Sequence, residues 1–461
     1  MYDIIIIGAG TAGISAYKEA IKHTQNILII NDGPWDTTCA RVGCMPSKVL
    51  ISVANRMHDI QHADEVALEV NAKVNTDQVM PHVRQLRDRF TRATLKDINQ
   101  WDPTHKISGK AEFVNAQTVR VGKNNYHAKS FIVAVGSTPS FDPLWKEELG
   151  NLLITSDQVF ELEKLPKRLA VIGSGVIAIE LAQAMQRLGV ETTVFARSQK
   201  VGSLSSPNLQ DIAQKTLGQS LNIKFKVLPE TIKKFRNKVK LSFTENKKNE
   251  SMIFDYLLVA TGRTSYLNSL KLENIDPAYA DLKQLPIDNQ TKQLSSHPIF
   301  IIGDAYTNTP VQHEAAHEGK LTVENCLNYP KVKNIKTLTP LGIMFSSPEM
   351  ATVGQSYKHL EDQAIQFITG FINYEKQGRA IVLGKNQGAA EIYIDRTSRQ
   401  ILGAELFVDD AEHLAHLLGW MITQKMTVDE VLMQPFYHPT LEEGLRTALK
   451  HARRQMDNIT E

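Results

Sequence analysis

The chain has 461 residues, enough for about three domains and for cores that need no disulfide staples. Hydrophobic residues make up 42% and charged residues 22%, and Lys+Arg 52 against Asp+Glu 50 leaves +2, so no global field points to nucleic acid or an anionic membrane. The 3 cysteines exclude a disulfide-rich secreted scaffold.

The opening apolar run, Ile4 to Ile7, is too short for a signal-peptide core, and no run has the length of a membrane span. A cytoplasmic protein with no membrane and no nucleic-acid partner is the expectation. Ile4–Ile7 reads as a buried strand, followed by Gly8-Ala9-Gly10-Thr11-Ala12-Gly13 and a helix from Thr11 to His23. In such a unit Gly8 allows the tight turn, Gly10 lets the backbone approach a pyrophosphate, and Gly13 lets helix and strand pack closely. The same letters also serve a plain tight turn, but their place directly after four isoleucines favours the nucleotide reading. Asn26–Ile30 is the second strand, and the acceptor for a ribose hydroxyl, due about 20 residues on, falls at Asn31 with Asp32 beside it. Asn31 is neutral but still accepts a hydrogen bond.

Residues 36–48 read Asp-Thr-Thr-Cys-Ala-Arg-Val-Gly-Cys-Met-Pro-Ser-Lys. Pro46 favours an early helical position for Cys44, where a thiolate has a lowered pKa, and Lys48 one turn later adds positive potential. A pair of buried thiols is the plain alternative; a metal site needs further ligands, and no cysteine or histidine lies in the next ten residues. Residues 44–65 and 76–99 read as helices. Lys110–Val114 and Thr118–Val121 read as strands of a hairpin-rich patch, and Phe131–Val135 as a buried strand ending at Gly136.

The strand–glycine–helix–strand pattern then recurs. Leu169–Ile172 leads into Gly173-Ser174-Gly175-Val176-Ile177-Ala178, a helix to Leu188 and a strand Glu191–Phe195, which marks a duplicated domain. After that strand stand Arg197 and Lys200 in place of a carboxylate, a pairing suited to a 2′-phosphate and so to NADP(H). Two solvated cations on a loop are the alternative. Two dinucleotide sites in one chain suit two nucleotides exchanging electrons, one of them a flavin. Leu257–Ala260 closes the unit at Thr261-Gly262-Arg263, with Gly262 a further cofactor candidate. Ile299–Ile302 with Gly303-Asp304 is another buried strand and turn. Lys247-Lys248 and Lys331-Val332-Lys333 read as solvated loops, and Cys326 as a core residue.

From residue 338 alternating segments, Ala389–Ile394 and Ile401–Phe407, give an antiparallel sheet with helices near 409–425 and 440–455. Phe436-Tyr437-His438-Pro439-Thr440-Leu441-Glu442-Glu443 offers a histidine just before a helix whose early turns carry Glu443. That pair suits a proton carrier near neutral pH, while a helix-start turn accounts for the same letters.

The thirteen-residue cysteine segment resembles the redox motif of class I pyridine nucleotide–disulfide oxidoreductases, whose members include dihydrolipoamide dehydrogenase, glutathione reductase and mercuric reductase. The resemblance runs in order through both glycine turns, Gly303-Asp304 and the C-terminal region. It implies an α/β fold with two Rossmann-like dinucleotide-binding domains plus a C-terminal α+β dimerisation domain. The FAD-binding domain would take residues 1–149 and return at 271–337, the NAD(P)-binding domain 150–270 and the interface domain 338–461. Gly8, Gly10, Gly13, Lys48, Ala111, Val135, Gly136, Ser137 and Asp304 would contact FAD, with Asp304 on the ribityl chain and a Lys48–Glu180 pair beside the isoalloxazine. Gly173, Gly175, Ala178, Arg197, Lys200 and Gly262 would meet NAD or NADP. Cys44 would face the flavin, Cys39 would attack substrate, and His438 with Glu443 would serve the other subunit of a homodimer, the His438–Pro439 bond being cis.

This chain departs from the family in having Thr37-Thr38 where Gly-Gly is frequent, Asn31 for a glutamate, and Phe436 for a second histidine. The closest likeness is to dihydrolipoamide-dehydrogenase-like members, with a lipoyl group or another small dithiol or disulfide as substrate. Arg197 and Lys200 favour instead an NADPH-driven reductase similar to glutathione reductase. Mercuric reductase and cysteine-tailed thioredoxin reductase are disfavoured, since the last cysteine is Cys326. A flavin-bound sensor or interaction protein is the reading from another class.

Overall fold

The computed structural model describes residues 1–306 and 311–460. The chain folds as two compact units, each discontinuous: Met1–Pro46, Val83–Ser140 and Gly262–Leu338 in the first; Ser47–His82, Phe141–Thr261 and Thr339–Glu461 in the second.

The first unit is built on a parallel sheet. Its strand Tyr2–Ile7 pairs with Ile27–Asn31 on one side and Asn124–Val133 on the other, with Lys106–Ser108 beyond the former and Ile299–Ile301 beyond the latter. Ile4, Ile5 and Ile6 are 0% exposed, as a parallel strand covered on both faces requires. An antiparallel meander of Ala111–Asn115, Thr118–Val121 and Asn124–Val133 extends the sheet. The helix Thr11–Ala20 packs on the helix Gln312–Asn328, and a Cβ at Gly319 would stand 2.2 Å from the Ala12 carbonyl oxygen, so glycine sets that approach.

The second unit repeats the arrangement. Arg168–Ile172 lies between Glu191–Ala196 and Tyr256–Val259, with Asn222–Phe225 and Leu153–Ile154 outermost, all parallel. A separate antiparallel sheet, Thr231–Phe235, Lys238–Glu245 and Lys248–Phe254, follows. The C-terminal part is a five-stranded antiparallel sheet in the order Leu341–Met344, Glu349–Gly354, Ile401–Val408, Ala389–Asp395, Phe367–Asn373. The helices Ala411–Thr423 and Glu442–Thr460 bury their apolar faces on it.

The architecture is thus the expected doubly wound pair with a C-terminal α+β domain. Boundaries moved by a few residues. The first helix stops at Ala20 because the N–H groups of Lys22 and His23 turn to the carbonyls of Glu19 and Ala20, tightening the chain out of the α-helix. The strand expected to reach Val135 ends at Val133, before the left-handed Gly136 (φ 68°). The helix expected over 44–65 is an α-helix only over Cys44–Gln61, and a 3₁₀ turn over Ala63–Val66 follows it. Lys247 and Lys248 stand exposed at a hairpin tip, and Lys333 pairs with Glu324 at 2.8 Å on the surface. Among the described residues no helix is long and apolar enough to cross a membrane.

Candidate active site

The first glycine turn is shaped by what a side chain would strike. A Cβ at Gly8 (φ 105°) would stand 2.4 Å from the Ala134 carbonyl oxygen, and one at Gly13 1.9 Å from that of Gly8. Beside Gly10 there is open space: nothing lies within 4 Å of its Cβ position, and no side chain caps the helix there. A turn closed on two sides and open at its middle glycine, with helical N–H groups behind it, fits an incoming pyrophosphate. Asn31 is buried. Its Oδ1 accepts the Ala9 N–H at 3.0 Å, and its Nδ2 donates to the carbonyls of Gly33 and Pro34 at 2.9 Å. The residue that replaces the family's glutamate therefore stitches the turn to the loop after the second strand; Asp32 beside it is exposed.

The second turn follows the same design with one relaxation. A Cβ added at Gly173 (φ 116°) would stand 2.5 Å from the Ala260 carbonyl oxygen, but 3.7 Å from the Ala178 Cβ, an ordinary contact. Gly175 again borders open space, and Gly262 (φ 123°) is exposed. Arg197 and Lys200 are exposed on the following loop, and the Ser174 hydroxyl ties that loop to the turn by donating to the Lys200 carbonyl at 2.6 Å.

In the cysteine segment Thr37 caps the short helix Thr38–Arg41 by accepting the Ala40 N–H at 3.1 Å, so a hydroxyl does here what a flexible Gly-Gly cannot. Arg41 donates to the buried Asp36 at 2.9 Å. Cys39 is half-buried in this helix, and Cys44, exposed, is the first residue of Cys44–Gln61. Gly43 joins them; an added Cβ would lie 3.0 Å from the Thr38 carbonyl oxygen and 3.1 Å from the Cys39 Cα, a tight fit that the neighbouring backbone would have to yield to. Cys326 is buried, and burial holds its thiol well above the ordinary range, which makes it inert.

Lys48 lies one turn after Cys44 along the same helix. Its ammonium is held by Glu180 at 2.8 and 3.1 Å and stands 4.5 Å over the Phe345 ring, so its charge is compensated by a carboxylate rather than bare. Glu180 is buried and also accepts the Phe345 N–H at 2.8 Å, which satisfies the buried charge. At the C-terminal end Nδ1 of His438 lies 3.1 Å from both Glu443 oxygens, and the Thr440 N–H donates to Glu443 at 3.2 Å. Those contacts, the Thr440 bond first, hold the Glu443 carboxyl below its usual range. A carboxylate on Nδ1 leaves Nε2 as the basic nitrogen, and the His438 side chain is 82% exposed. The His438–Pro439 bond is cis.

Asp304 sits in the 3₁₀ turn Gly303–Ala305, and burial pushes its carboxyl up against the pull of Arg263. Ala111 is buried at the start of its strand, and Val135, Gly136 and Ser137 lead out of the sheet. Sequence reasoning assigned no role to two residues here. Arg263 grips Ser137 through its hydroxyl (2.8 Å) and carbonyl (2.6 Å), and Glu318 accepts the Gly303 N–H at 2.8 Å while pairing with Lys292 at 2.7 Å. Arg263 directly follows the Thr261-Gly262 turn, but that placement does not reveal its partner; Glu318 carries no motif.

Two tandem parallel sheets with glycine turns, a paired thiol segment and a histidine–carboxylate pair define a two-nucleotide thiol redox protein. Residues 2–319 match the family Pyridine nucleotide-disulphide oxidoreductase, and residues 341–449 match its dimerisation domain. The chain belongs to this family, and is an FAD-dependent disulfide oxidoreductase that uses NAD(P). It is 28% identical to dihydrolipoyl dehydrogenase of Mycoplasma pneumoniae, covering 98% of each chain. It is 30% identical to mercuric reductase of Bacillus cereus, covering 97% of this chain and 71% of that one. In fold it is similar to LpdA from Mycobacterium tuberculosis, with a TM-score of 0.83 at 19% identity over 99% of this chain and 100% of that one. The HOCl-induced flavoprotein disulfide reductase of Escherichia coli gives 0.80 at 18% identity, over 97% and 99%.

Proposed function

We propose that this protein exchanges electrons between NAD(P)(H) and a small dithiol or disulfide of the lipoyl type through Cys39 and Cys44. The observation that carries the reading is the cysteine segment: Cys44 opens a long helix, Cys39 lies in the short helix before it, and the linking Gly43 packs close to the Thr38 and Cys39 backbone. Gly8, Gly10, Gly13, Ala111, Val135, Gly136, Ser137 and Asp304 would hold FAD, with Lys48 and Glu180 assigned to its ring system, and the flavin when bound would supply two-electron exchange between the nicotinamide and the thiol pair.

In the reductive direction the Cys39 thiolate attacks one sulfur of the substrate disulfide, forming a mixed disulfide and expelling the other sulfur as a thiolate. His438 protonates that thiolate from Nε2 while Glu443 stabilises the imidazolium through Nδ1. The Cys44 thiolate then attacks Cys39 Sγ, closes the internal disulfide and releases the second substrate thiolate. In the oxidative direction the same atoms run in reverse, with His438 taking the proton. The protein works as a homodimer in which His438 of one protomer serves the thiol pair of the other. Met433 and Tyr437, 84% and 82% exposed near His438, together with Trp420 at 64%, supply apolar surface suited to that association. The redox pair suits a reducing compartment, the cytoplasm.

One observation favours a second reading, an NADPH-driven reductase of another small disulfide: the exposed Arg197 and Lys200 where a carboxylate would select NAD. An anaerobic panel separates the two, pairing NAD with dihydrolipoamide, and NADH or NADPH with lipoamide and glutathione disulfide. Preferred turnover of lipoamide supports the first reading, and turnover of glutathione disulfide with NADPH alone replaces it with the second. Cys44→Ser keeps bound FAD and lowers disulfide turnover by about 10³-fold or more; retained turnover overturns both.

A further inference from the structure

Resting on the assignment of Arg197 and Lys200 to a 2′-phosphate, the loop that carries them contains a further specificity element. Exposed cations on a mobile loop gain little from a phosphate, because most of the attraction is offset by ordering the loop. Here the backbone is tied down from Gln199 to Ser206. Gln210 is 5% exposed, and its Oε1 accepts the Val201 N–H at 3.0 Å while its Nε2 donates to the carbonyls of Val201 and Leu204, both at 2.8 Å. Gln214, one turn further along the helix Pro207–Ser220, donates to the Gln199 carbonyl at 2.8 Å. The far end is closed by the buried Glu405, which accepts the N–H groups of Ser205 and Ser206 at 2.7 and 3.0 Å.

We propose that Gln210 is a positioning residue for nucleotide selection: it holds the 199–204 backbone in the shape in which Arg197 and Lys200 receive the 2′-phosphate. The geometry explains why one amide can do this. Side chains early in a helix lean back toward its N-terminus, and the loop enters this helix directly. All three hydrogen bonds between the Gln210 amide and the loop go to backbone, none to another side chain. Gln210 touches no nucleotide; it acts through the loop.

The test is calorimetric binding of adenosine 2′,5′-bisphosphate and of 5′-AMP to the FAD-loaded protein. The wild type binds the bisphosphate about tenfold tighter or better. If it does not discriminate, or if Arg197→Glu leaves discrimination intact, the 2′-phosphate assignment itself is wrong. With that assignment upheld, Gln210→Leu weakens bisphosphate binding about fivefold and leaves 5′-AMP within about twofold. Equal weakening of both ligands makes Gln210 a purely structural residue, and unchanged binding removes it from the loop's control; either result overturns the proposal. Should Gln210→Leu fail to retain FAD, Gln214→Ala on the helix surface gives the same selective loss at about two- to threefold, and no selective loss there overturns the proposal as well.

Discussion

The two glycine turns share strand order, helix placement and an open middle glycine, yet differ at the third position and at the end of the second strand. At Gly13 the backbone of the first turn comes so close that a methyl group would stand 1.9 Å from a carbonyl oxygen, whereas Ala178 fits in the second. After the strand, Asn31 folds back and locks the first turn from within. Arg197 and Lys200 instead remain in solvent on a loop tied down by its neighbours. The first site is built like one that keeps its nucleotide, the second like one that exchanges it. A permanently bound group rewards a tight, internally bonded cradle, and an exchanged one rewards an accessible, preset recognition edge.

The comparison breaks most sharply at the third position. Gly13→Ala should abolish FAD loading, because the obstructing atom is backbone and cannot rotate away. Ala178→Gly should cost about 1 kcal/mol of stability and leave nicotinamide turnover in place. Flavin absorbance of the purified variants reads the first, and thermal melts with steady-state kinetics read the second. If Gly13→Ala loads FAD normally, the two turns are not different in kind.

At the strand ends, Arg197→Glu should raise the KM for NADPH about 10- to 100-fold and change that for NADH by about threefold or less; equal changes would remove Arg197 from the 2′-phosphate. Asn31→Ala leaves the buried Ala9 N–H without its acceptor and should cost about 2 kcal/mol in denaturant unfolding. Asn31→Asp, which restores that acceptor but not the two donations, should recover part of the loss.

A reference point lies outside both turns. Burial, reinforced by the charges of Glu412, Asp410 and Asp409 and opposed by the Glu412 N–H, pushes the Glu349 carboxyl up to about 7 from 4.5. The folded protein therefore holds a proton that the unfolded chain releases, and stability falls as pH rises from 4.5 to about 7, the cost being complete above that. Glu349→Gln, which can still accept the Glu412 N–H, should flatten this part of the melting-temperature profile. An unchanged slope would mean that Glu349 does not set it.

Much of the site was legible because it is written locally. The turns, the four isoleucines, the cysteine segment and the His438–Glu443 spacing each lie within one short stretch whose chemistry restricts residue choice. Val239-Lys240-Leu241-Ser242-Phe243 also alternates cleanly, with its apolar members buried, so the sheet of residues 231–254 carried a period-two signal in the sequence as well. The anchors were not legible. Glu318 under the Gly303 N–H, Arg263 on Ser137, and Gln210 under its loop are ordinary polar residues until the fold brings their partners to them.

By itself the sequence determined that two glycine turns, a thiol pair and a histidine–carboxylate pair exist, since each depends on neighbours a few residues away. Only the tertiary structure decided how they are held. It made Asn31 an internal stitch and turned Gln210 toward the 199–204 loop. Those choices follow from burial and from satisfying buried N–H and C=O groups, and both depend on which distant segments meet.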